Sequence, residues 1–257
     1  MVDGADVAAH VRFWDAVNRA GFWRRVLAFL IDATIVLIPL QVLVAVLFAQ
    51  TNGTVQGSFG FTTTYCVALG EIPANLEPAP PAGFNSAAEC RISFIGFFDT
   101  ARTLSVAKVT EDGSVTTSIS TDYTLGTDGQ PNQAFTTDWI ALLLLLAYLV
   151  VMEYRFGRTF GKQMLGIRTI DTDDPAQTGI PLKKAFFRQL AMWIGATPAL
   201  LLLSYLTVAP YLTSGVVAAM ILTWLIGMVW LIWIIVSVSK KQDPIYDRLV
   251  GTAVVSV

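Results

Sequence analysis

Residues 21–32 read Gly-Phe-Trp-Arg-Arg-Val-Leu-Ala-Phe-Leu-Ile-Asp, and they open the first long apolar run of the chain, which ends at Ala49. About 20 apolar residues in a row can cross a bilayer as a helix, so residues 22–49 are predicted to span the membrane. Asp32 lies inside this run, two helical turns after Arg25. Because an ionisable group within a membrane is costly unless it faces a partner or water, the surroundings of Asp32 matter most.

The composition is that of an integral membrane protein. Of the 257 residues, 54% are hydrophobic and 14% are charged, whereas soluble domains carry about 25% charged residues. Further apolar runs predict spans at 138–154, 187–206 and 214–238. The predicted fold is therefore an all-α membrane protein, a four-transmembrane-helix bundle. A net charge of −2 gives no general attraction to nucleic acid, which is not expected as a partner.

Residues 1–21 are predicted to form an amphipathic helix on the cytoplasmic side. Apolar side chains recur there at three- and four-residue spacing, with polar ones mostly between them. A helix of this kind can lie in the headgroup region and lead into the first span. A polar tail with scattered hydrophobic residues is the alternative.

Residues 50–137 have no spanning run and are rich in Thr, Ser, Gly and Pro. Two β-branched stretches, 103–110 and 114–120, flank Glu111-Asp112-Gly113, and this pattern predicts a β-hairpin. Residues 91–95 are a candidate third strand. The segment is therefore predicted to be a β-rich domain inserted between the first and second spans.

Lysine and arginine are concentrated in three segments. Four lie at or before Arg25, seven between residues 155 and 188, and three in the tail at 239–257. Because basic residues favour the cytoplasmic side, both termini and the basic loop at 155–186 are predicted to be cytoplasmic (N-in/C-in). The 50–137 insert, with three basic residues, is then extracytoplasmic. The expected location is a bacterial cytoplasmic (plasma) membrane, crossed several times.

The chain has two cysteines, Cys66 and Cys90, and both lie in the insert. Disulfides persist outside the reducing cytoplasm, so the predicted orientation favours a Cys66–Cys90 bridge. Two free, partly buried thiols are the alternative.

Four stretches, in order along the chain, resemble signatures of the RDD family of membrane proteins, which is named for one arginine and two aspartates. The first is residues 21–32, in which Arg25 and Asp32 match the arginine and the first aspartate on spacing. The others are residues 159–168 with Gly161 and Lys162, residues 182–188 ending in Arg188, and residues 247–255 with Asp247, Arg248 and Thr252.

The resemblance implies a membrane protein for which a role in transport has been suggested. It makes Arg25, Asp32 and Asp247 the candidate functional residues, with the other matched positions as supporting polar groups. The 50–137 insert departs from the family, whose members usually have a much shorter connection there. The resemblance therefore carries nothing about the insert.

Two interpretations of Asp32 remain open. In one it faces the bundle interior as a proton or cation site, since charges inside membranes mark pathways. In the other it is structural and either pairs with Arg188 or caps a freed backbone group. Asp32 is expected to meet Arg188 or Arg25 near the inner leaflet. The tail is expected to fold back, with residues 253–255 pairing with 167–170; a solvated tail is the alternative.

Catalysis is not expected, because no nucleophile and base stand in a recognisable pattern, and no metal or other cofactor is expected either. The stretch from Gly157 to Gln163 is one residue short of a phosphate loop and has Gln163 where Ser or Thr would hold magnesium. The lipid bilayer is an expected partner, and two functions remain open. One is proton- or cation-linked transport through Asp32 by a homo-oligomer, since four helices are few to enclose a pathway. The alternative is a non-transporting scaffold whose exported 50–137 domain binds a cell-envelope protein.

Overall fold

The computed structural model of the chain describes residues 18–112, 115–208 and 213–257. The predicted amphipathic helix falls on residues 1–21 and lies almost wholly outside the described residues. The chain forms two compact units. One comprises the residues up to Ala33 together with those from Leu146 onward, and the other comprises Thr34–Leu145.

Among the described residues, four helical segments are long and apolar enough to cross a membrane. Their apolar side chains are largely exposed on the protein surface, as lipid-facing side chains are, so the chain is a multi-pass membrane protein in contact with the bilayer. The elements are α1 (Phe22–Gln50), α2 (Asp138–Phe156), α4 (Leu182–Met192) continued by a 3-10 turn (Ile194–Ala196) and α5 (Thr197–Val208), and α6 (Ser214–Ser239), with a short α3 (Phe160–Met164) between the second and third spans.

The third span differs from its predicted bounds in two ways. It begins at Leu182 rather than 187, because Pro181 precedes good helix-forming residues that extend the helix before its apolar part. It is interrupted between α4 and α5, because Pro198 lacks the N–H that a continuous helix needs at that position. Gly195 lies in this break, where a Cβ would meet the Trp230 ring at 2.3 Å, so the third and fourth spans pack closely here.

The insert contains a five-stranded antiparallel sheet in the order β2-β3-β4-β5-β6. Its strands are β2 (Thr62–Leu69), β3 (Ser86–Phe94), β4 (Phe98–Asp112), β5 (Val115–Leu125) and β6 (Pro131–Asn132). The β4–β5 pair contains the predicted hairpin, and β3 includes most of the predicted third strand; β2 was not predicted. Two short parallel strands, β1 (Val55–Gln56) and β7 (Phe135–Thr136), join the two ends of the insert.

Cys66 and Cys90 face each other across β2 and β3, and they form the predicted disulfide. On the other side of the sheet, Leu104, Val106 and Tyr123 form a core with Leu125. This core explains why the insert folds around its two longest strands: it buries the alternating side chains of one sheet face.

The C-terminal segment folds back as predicted. After α7 (Ile245–Val250), strand β9 (Thr252–Ser256) pairs antiparallel with β8 (Ile167–Asp171), with Ile170 opposite Ala253. The left-handed Gly251, at φ 70°, makes the turn between α7 and β9. The chain just before α1 joins this sheet, since Ala20 N donates to Val254 O at 3.0 Å. The arrangement brings the start of α1, the loop after α2 and the C-terminal segment together.

Candidate functional site

The Asp32 carboxylate is 1% exposed and accepts hydrogen bonds from three uncharged donors. Its Oδ1 accepts from Tyr148 OH at 2.9 Å and from the Gly161 N–H at 2.7 Å. Its Oδ2 accepts from the Thr159 hydroxyl. Asp32 is therefore held by one side chain of α2 and by the first residues of α3.

These contacts cap the N-terminus of α3. The Phe160 N–H donates to Tyr148 OH at 3.1 Å, the Gly161 N–H donates to Asp32, and the Lys162 N–H donates to Thr159 Oγ1 at 3.3 Å. The first N–H groups of a helix have no partners inside the helix. A carboxylate at this end therefore accepts one of these hydrogen bonds and interacts favourably with the positive end of the helix dipole.

The expected contact of Asp32 with Arg25 or Arg188 is wrong. Within the described parts of the chain, neither guanidinium lies within 4.0 Å of Asp32. Both guanidinium groups instead contact Asp247. Capping of a backbone group, the other structural role considered for Asp32, is what the contacts show.

Gly161 brings α3 against the first span. A Cβ at this position would lie 2.1 Å from the Ala28 carbonyl oxygen, which is far inside van der Waals contact. Only glycine fits between the two backbones. The close approach is what puts the Gly161 N–H within reach of Asp32, one helical turn after Ala28.

Asp247 is fully buried and is held by two arginines. Arg25 Nη1 donates to Asp247 Oδ2 at 2.9 Å, and Arg188 Nε donates to Asp247 Oδ1 at 2.6 Å. The Thr252 hydroxyl adds a hydrogen bond to Oδ1 at 3.2 Å. Arg25 also donates to the carbonyl oxygens of Ala20 and Val254, so it ties the segment before α1 to β9.

Glu153, in the last turn of α2, continues the series of charges. It is fully buried, and its Oε1 accepts from Arg188 Nη1 at 2.6 Å and from the Lys162 ammonium. Lys162 Nζ also donates to Thr169 Oγ1 at 2.8 Å, and Gln189 Nε2 donates to Glu153 Oε2 at 3.2 Å. We call the series Arg25, Asp247, Arg188, Glu153 and Lys162 the ion chain.

A further pair adjoins the ion chain. Arg19 Nε donates to Asp243 Oδ2 at 3.0 Å, and Asp243 Oδ1 lies 4.0 Å from Arg25 Nη2. Together with Asp32, the cluster has four acidic and four basic side chains, so its formal charges balance. Burial raises the pKa of Asp243, with the nearby arginines opposing the shift. Burial lowers the pKa of Lys162, although Glu153 opposes that change.

A cavity of about 70 Å³ lies among these groups. Its polar lining consists of Arg25, Asp32, Glu153, Lys162, Arg188 and Gln189. A water molecule needs only about 10–15 Å³ of such space, so the cavity can hold a small cation together with water. Gln189 Oε1 is buried and has no hydrogen-bond partner among the described residues, so one oxygen acceptor at the cavity lining remains unused.

The predicted site residues divide into three groups. Arg25, Asp32, Gly161, Lys162, Arg188, Asp247 and Thr252 meet in one cluster. Arg248 lies outside it, is exposed, and donates to the Asp243 carbonyl oxygen at 2.6 Å. Cys66 and Cys90 belong to the sheet of the insert.

Sequence reasoning missed Glu153, Tyr148, Thr159 and Gln189. Glu153 carried a usable signal, because it is an acidic residue in the last turn of a span and has a lysine nine positions later. Thr159 opens the matched stretch 159–168, but no spacing of Thr159, Tyr148 or Gln189 connects these side chains with Asp32 or Glu153.

The comparisons with known proteins agree with the motifs. The model of the RDD family matches residues 19–74 and 124–251. The matched ranges include Asp32, the whole ion chain and every residue that lines the cavity except Val254, and they leave out residues 75–123 of the insert. Comparison with curated proteins and with solved structures gives no match.

Proposed function

The chain belongs to the RDD family of membrane proteins, and from this premise we propose that it exchanges a small monovalent cation for a proton across the membrane. The observation that carries the proposal is the cavity beside Asp32 and Glu153, which Gln189 also lines, together with the Gln189 Oε1 acceptor, which is buried and has no partner among the described residues. Carboxylate and amide oxygens bind hard cations such as Na⁺.

Lys162 supplies a proton that such a cation can replace. Its ammonium pairs with the buried Glu153, and burial lowers its pKa. When a monovalent cation enters beside Glu153, its charge replaces that of the ammonium, and Lys162 loses its proton to keep the cluster neutral. One cation enters the site for each proton that leaves it. We propose no enzymatic activity for this protein.

In this proposal Asp32 does not itself bind the transported proton or cation, although its place within the first span is compatible with that role. Its oxygens already accept three hydrogen bonds, which hold α3 and thereby Lys162 in place. Asp32 positions the exchange site, and Glu153 with Lys162 carries the exchanged charges.

The test is proton flux in liposomes that contain the purified protein and an internal pH indicator. An inward Na⁺, K⁺ or Li⁺ gradient should drive proton efflux from the wild type, whereas choline should not. Glu153→Gln should abolish the exchange. Asp174→Asn removes an exposed carboxylate from the same loop and should leave the rate unchanged. Wild-type flux equal to that of empty liposomes for all three cations would rule the exchange out.

The proposal includes an orientation with both termini and the loop after α2 in the cytoplasm of a bacterium and the insert outside. Two observations support it: 14 of the 17 basic residues fall on the proposed inner side, and the insert contains a disulfide. A cysteine at Asp174 should react with a membrane-impermeant maleimide only after the cells are opened, and one at Thr127 should react in intact cells. The opposite pattern would invert the orientation. A homo-oligomer is part of the proposal too, since four spans are few to enclose a pathway.

A second candidate is a scaffold that binds a cell-envelope protein through the insert. The observation in its favour is that residues 75–123, most of the sheet, lie outside the family match and so serve something that the family does not share. Replacing residues 62–125 by a short Gly-Ser linker should then remove a cross-linked envelope protein while cation exchange persists. Recovery of the same cross-linked proteins after the replacement would exclude this function.

A further inference from the structure

Four large apolar side chains are exposed at one end of the sheet. Phe61 precedes β2, Ile95 and Phe97 lie in the turn between β3 and β4, and Phe98 begins β4; their exposures are 59%, 56%, 82% and 61%. We call these four residues the apolar tip. A contiguous exposed apolar group of this size on a polar domain marks a contact with another molecule or with lipid.

The backbone holds the apolar tip together. Ile95 N donates to Phe61 O at 2.9 Å, which fixes the two loops side by side. Phe61 and Ile95 both adopt left-handed backbone, each at φ 53°. This conformation is uncommon for a bulky residue and is an outlier for a β-branched one, so it costs free energy that the exposed side chains do not regain by packing.

The loop before β2 runs alongside α1, from the end of the helix toward its middle. Gln41 is fully buried on α1; its Nε2 donates to Gly57 O, and its Oε1 accepts from Phe59 N, both at 3.1 Å. A Cβ on Gly60 would lie 3.8 Å from Leu37 Cδ1. Leu37 precedes the end of α1 at Gln50 by about 20 Å, so this loop reaches well inside the length of the helix.

The start of α2 marks the membrane boundary on this side. The helix has 19 residues, a length of about 28 Å that is close to the roughly 30 Å hydrocarbon thickness. Its second residue, Trp139, is 54% exposed and stacks edge-on against Phe135, as aromatic residues at the lipid–water interface do. Asp138 accepts from Ser58 N at 2.7 Å, so Ser58 lies at that boundary.

The side of the apolar tip formed by Phe61 and Ile95 therefore lies at or inside the boundary. From Ser58 the chain continues to Gly60, beside Leu37, which is one helical turn deeper than Gln41. Phe61 follows directly, and Ile95 is bonded to it. With the boundary at the start of α2, side chains at this depth would meet lipid rather than water.

We propose that the apolar tip is inserted into the lipid leaflet on the side of the insert, as a membrane wedge beside the first span. Lipid is the partner that fits, because the tip is uncharged and is continuous with the lipid-facing surface of α1. A groove of about 460 Å³ lies between them and is lined by Val42, Val46, Phe94 and Phe97 together with the polar side chains of Asp99, Arg102 and Thr127. Arg91 also lines it and lies three strand residues, about 10 Å, from Phe94, where its guanidinium can meet a lipid phosphate.

The experiment measures the depth of single residues in liposomes that contain only the protein and phosphatidylcholine. Both native cysteines are joined in the disulfide, so a cysteine introduced by Phe97→Cys can be labelled selectively with the environment-sensitive dye NBD. The matched control is Ile119→Cys, an equally apolar, exposed position opposite Lys108, ten strand residues and about 33 Å from Phe98.

Label at position 97 should show blue-shifted emission and several-fold stronger quenching by doxyl-labelled lipid than label at position 119, which should be quenched mainly by aqueous iodide. Phe61→Cys gives an independent reading of the same wedge if Phe97→Cys does not fold. Water-like emission at positions 97 and 61 overturns the proposal. Equal lipid quenching at positions 97 and 119 also overturns it, because the sheet would then lie flat on the membrane.

Discussion

Arg25 Nη1 lies 2.9 Å from Asp247 Oδ2, although 222 positions separate the two residues along the chain. The arginine and the second aspartate of the family signature thus bind each other, whereas the first aspartate, Asp32, binds the end of α3. The three signature residues therefore stabilise two separate contacts: the one between Arg25 and Asp247, and the one between Asp32 and α3. Arg188 also binds Asp247, and it connects this pair to Glu153 at the end of α2.

Replacing Asp247 by alanine should prevent stable folding. The substitution leaves Arg25 and Arg188 buried without their shared carboxylate, and breaking a buried ion pair in this way costs about 3–5 kcal/mol. The measurement is the melting temperature and the monodisperse fraction of the purified protein in detergent. Arg248→Gln, one residue away but exposed, should leave both near wild type. Similar losses from the two variants would contradict the assigned role of Asp247.

Asp32→Asn should lower stability rather than change ion selectivity. The amide keeps one acceptor oxygen and presents a donor to groups that already donate, so at least one charged hydrogen bond of about 1.5–3 kcal/mol is lost. Tyr148→Phe removes one donor and should have a smaller effect. Melting temperature and flux per folded molecule separate the two roles. A fully stable Asp32→Asn protein with altered ion preference would show that Asp32 binds the transported ion.

Gly161→Ala should separate α3 from the first span. The new Cβ would meet the Ala28 carbonyl oxygen at 2.1 Å, and relief of such overpacking costs at least about 1–3 kcal/mol. Gly215→Ala is the matched control, since a Cβ there has nothing nearer than Thr213 Oγ1 at 3.8 Å. Thermal unfolding of the two variants in the same detergent checks this. An unchanged melting temperature for Gly161→Ala would mean that the close approach of the two backbones does not hold.

Cation uptake should rise with pH because of Lys162. The protonated ammonium occupies Glu153, so uptake requires the neutral amine, whose fraction grows as the pH approaches the pKa of Lys162. Because burial lowers this pKa below the ordinary value of 10.5, the rise should begin at lower pH than for an exposed lysine. Initial uptake rates in liposomes across a pH series provide the measurement.

Lys162→Met removes the titrating group and should make uptake independent of pH and uncoupled from proton efflux. Lys183→Met, on the exposed side of α4, is the control and should keep the wild-type profile. A pH profile that survives Lys162→Met would assign the proton to another group.

Most of the architecture could be predicted from the sequence, because it depends on features of short stretches of the chain. Long apolar runs predicted the four spans, and β-branched stretches around Glu111-Asp112-Gly113 predicted the β4–β5 hairpin. The pairing of β8 with β9 was also predicted, because both are short stretches rich in β-branched residues and lie beside turn residues. The cysteine pairing needed only the placement of both residues in one segment that was predicted to be extracytoplasmic.

The partners within the site did not follow from the sequence. Asp32 and Arg25 share a helix face, which favoured an ion pair, but Gly161 lets α3 approach so closely that backbone N–H groups reach Asp32 first. Such a contact depends on the distance between two backbones, which no residue pattern encodes. Glu153 was missed for a related reason: charges at the end of a span usually face water, and its burial follows from the return of Arg188 and Lys162 to the same place.

The distance in sequence between Arg25 and Asp247 also imposes an order in time. At about 5–20 residues per second, the 222 positions between them take roughly 10–45 s to synthesise, so Arg25 enters the membrane well before its partner exists. During that interval the nascent chain must shelter the arginine with headgroups, water or the insertion machinery. Closure of the pair then marks the moment when the fourth span has been made. A chain broken off before Asp247 keeps Arg25 and Arg188 without their shared carboxylate, so the last residues to be made complete the charge balance of the first and third spans.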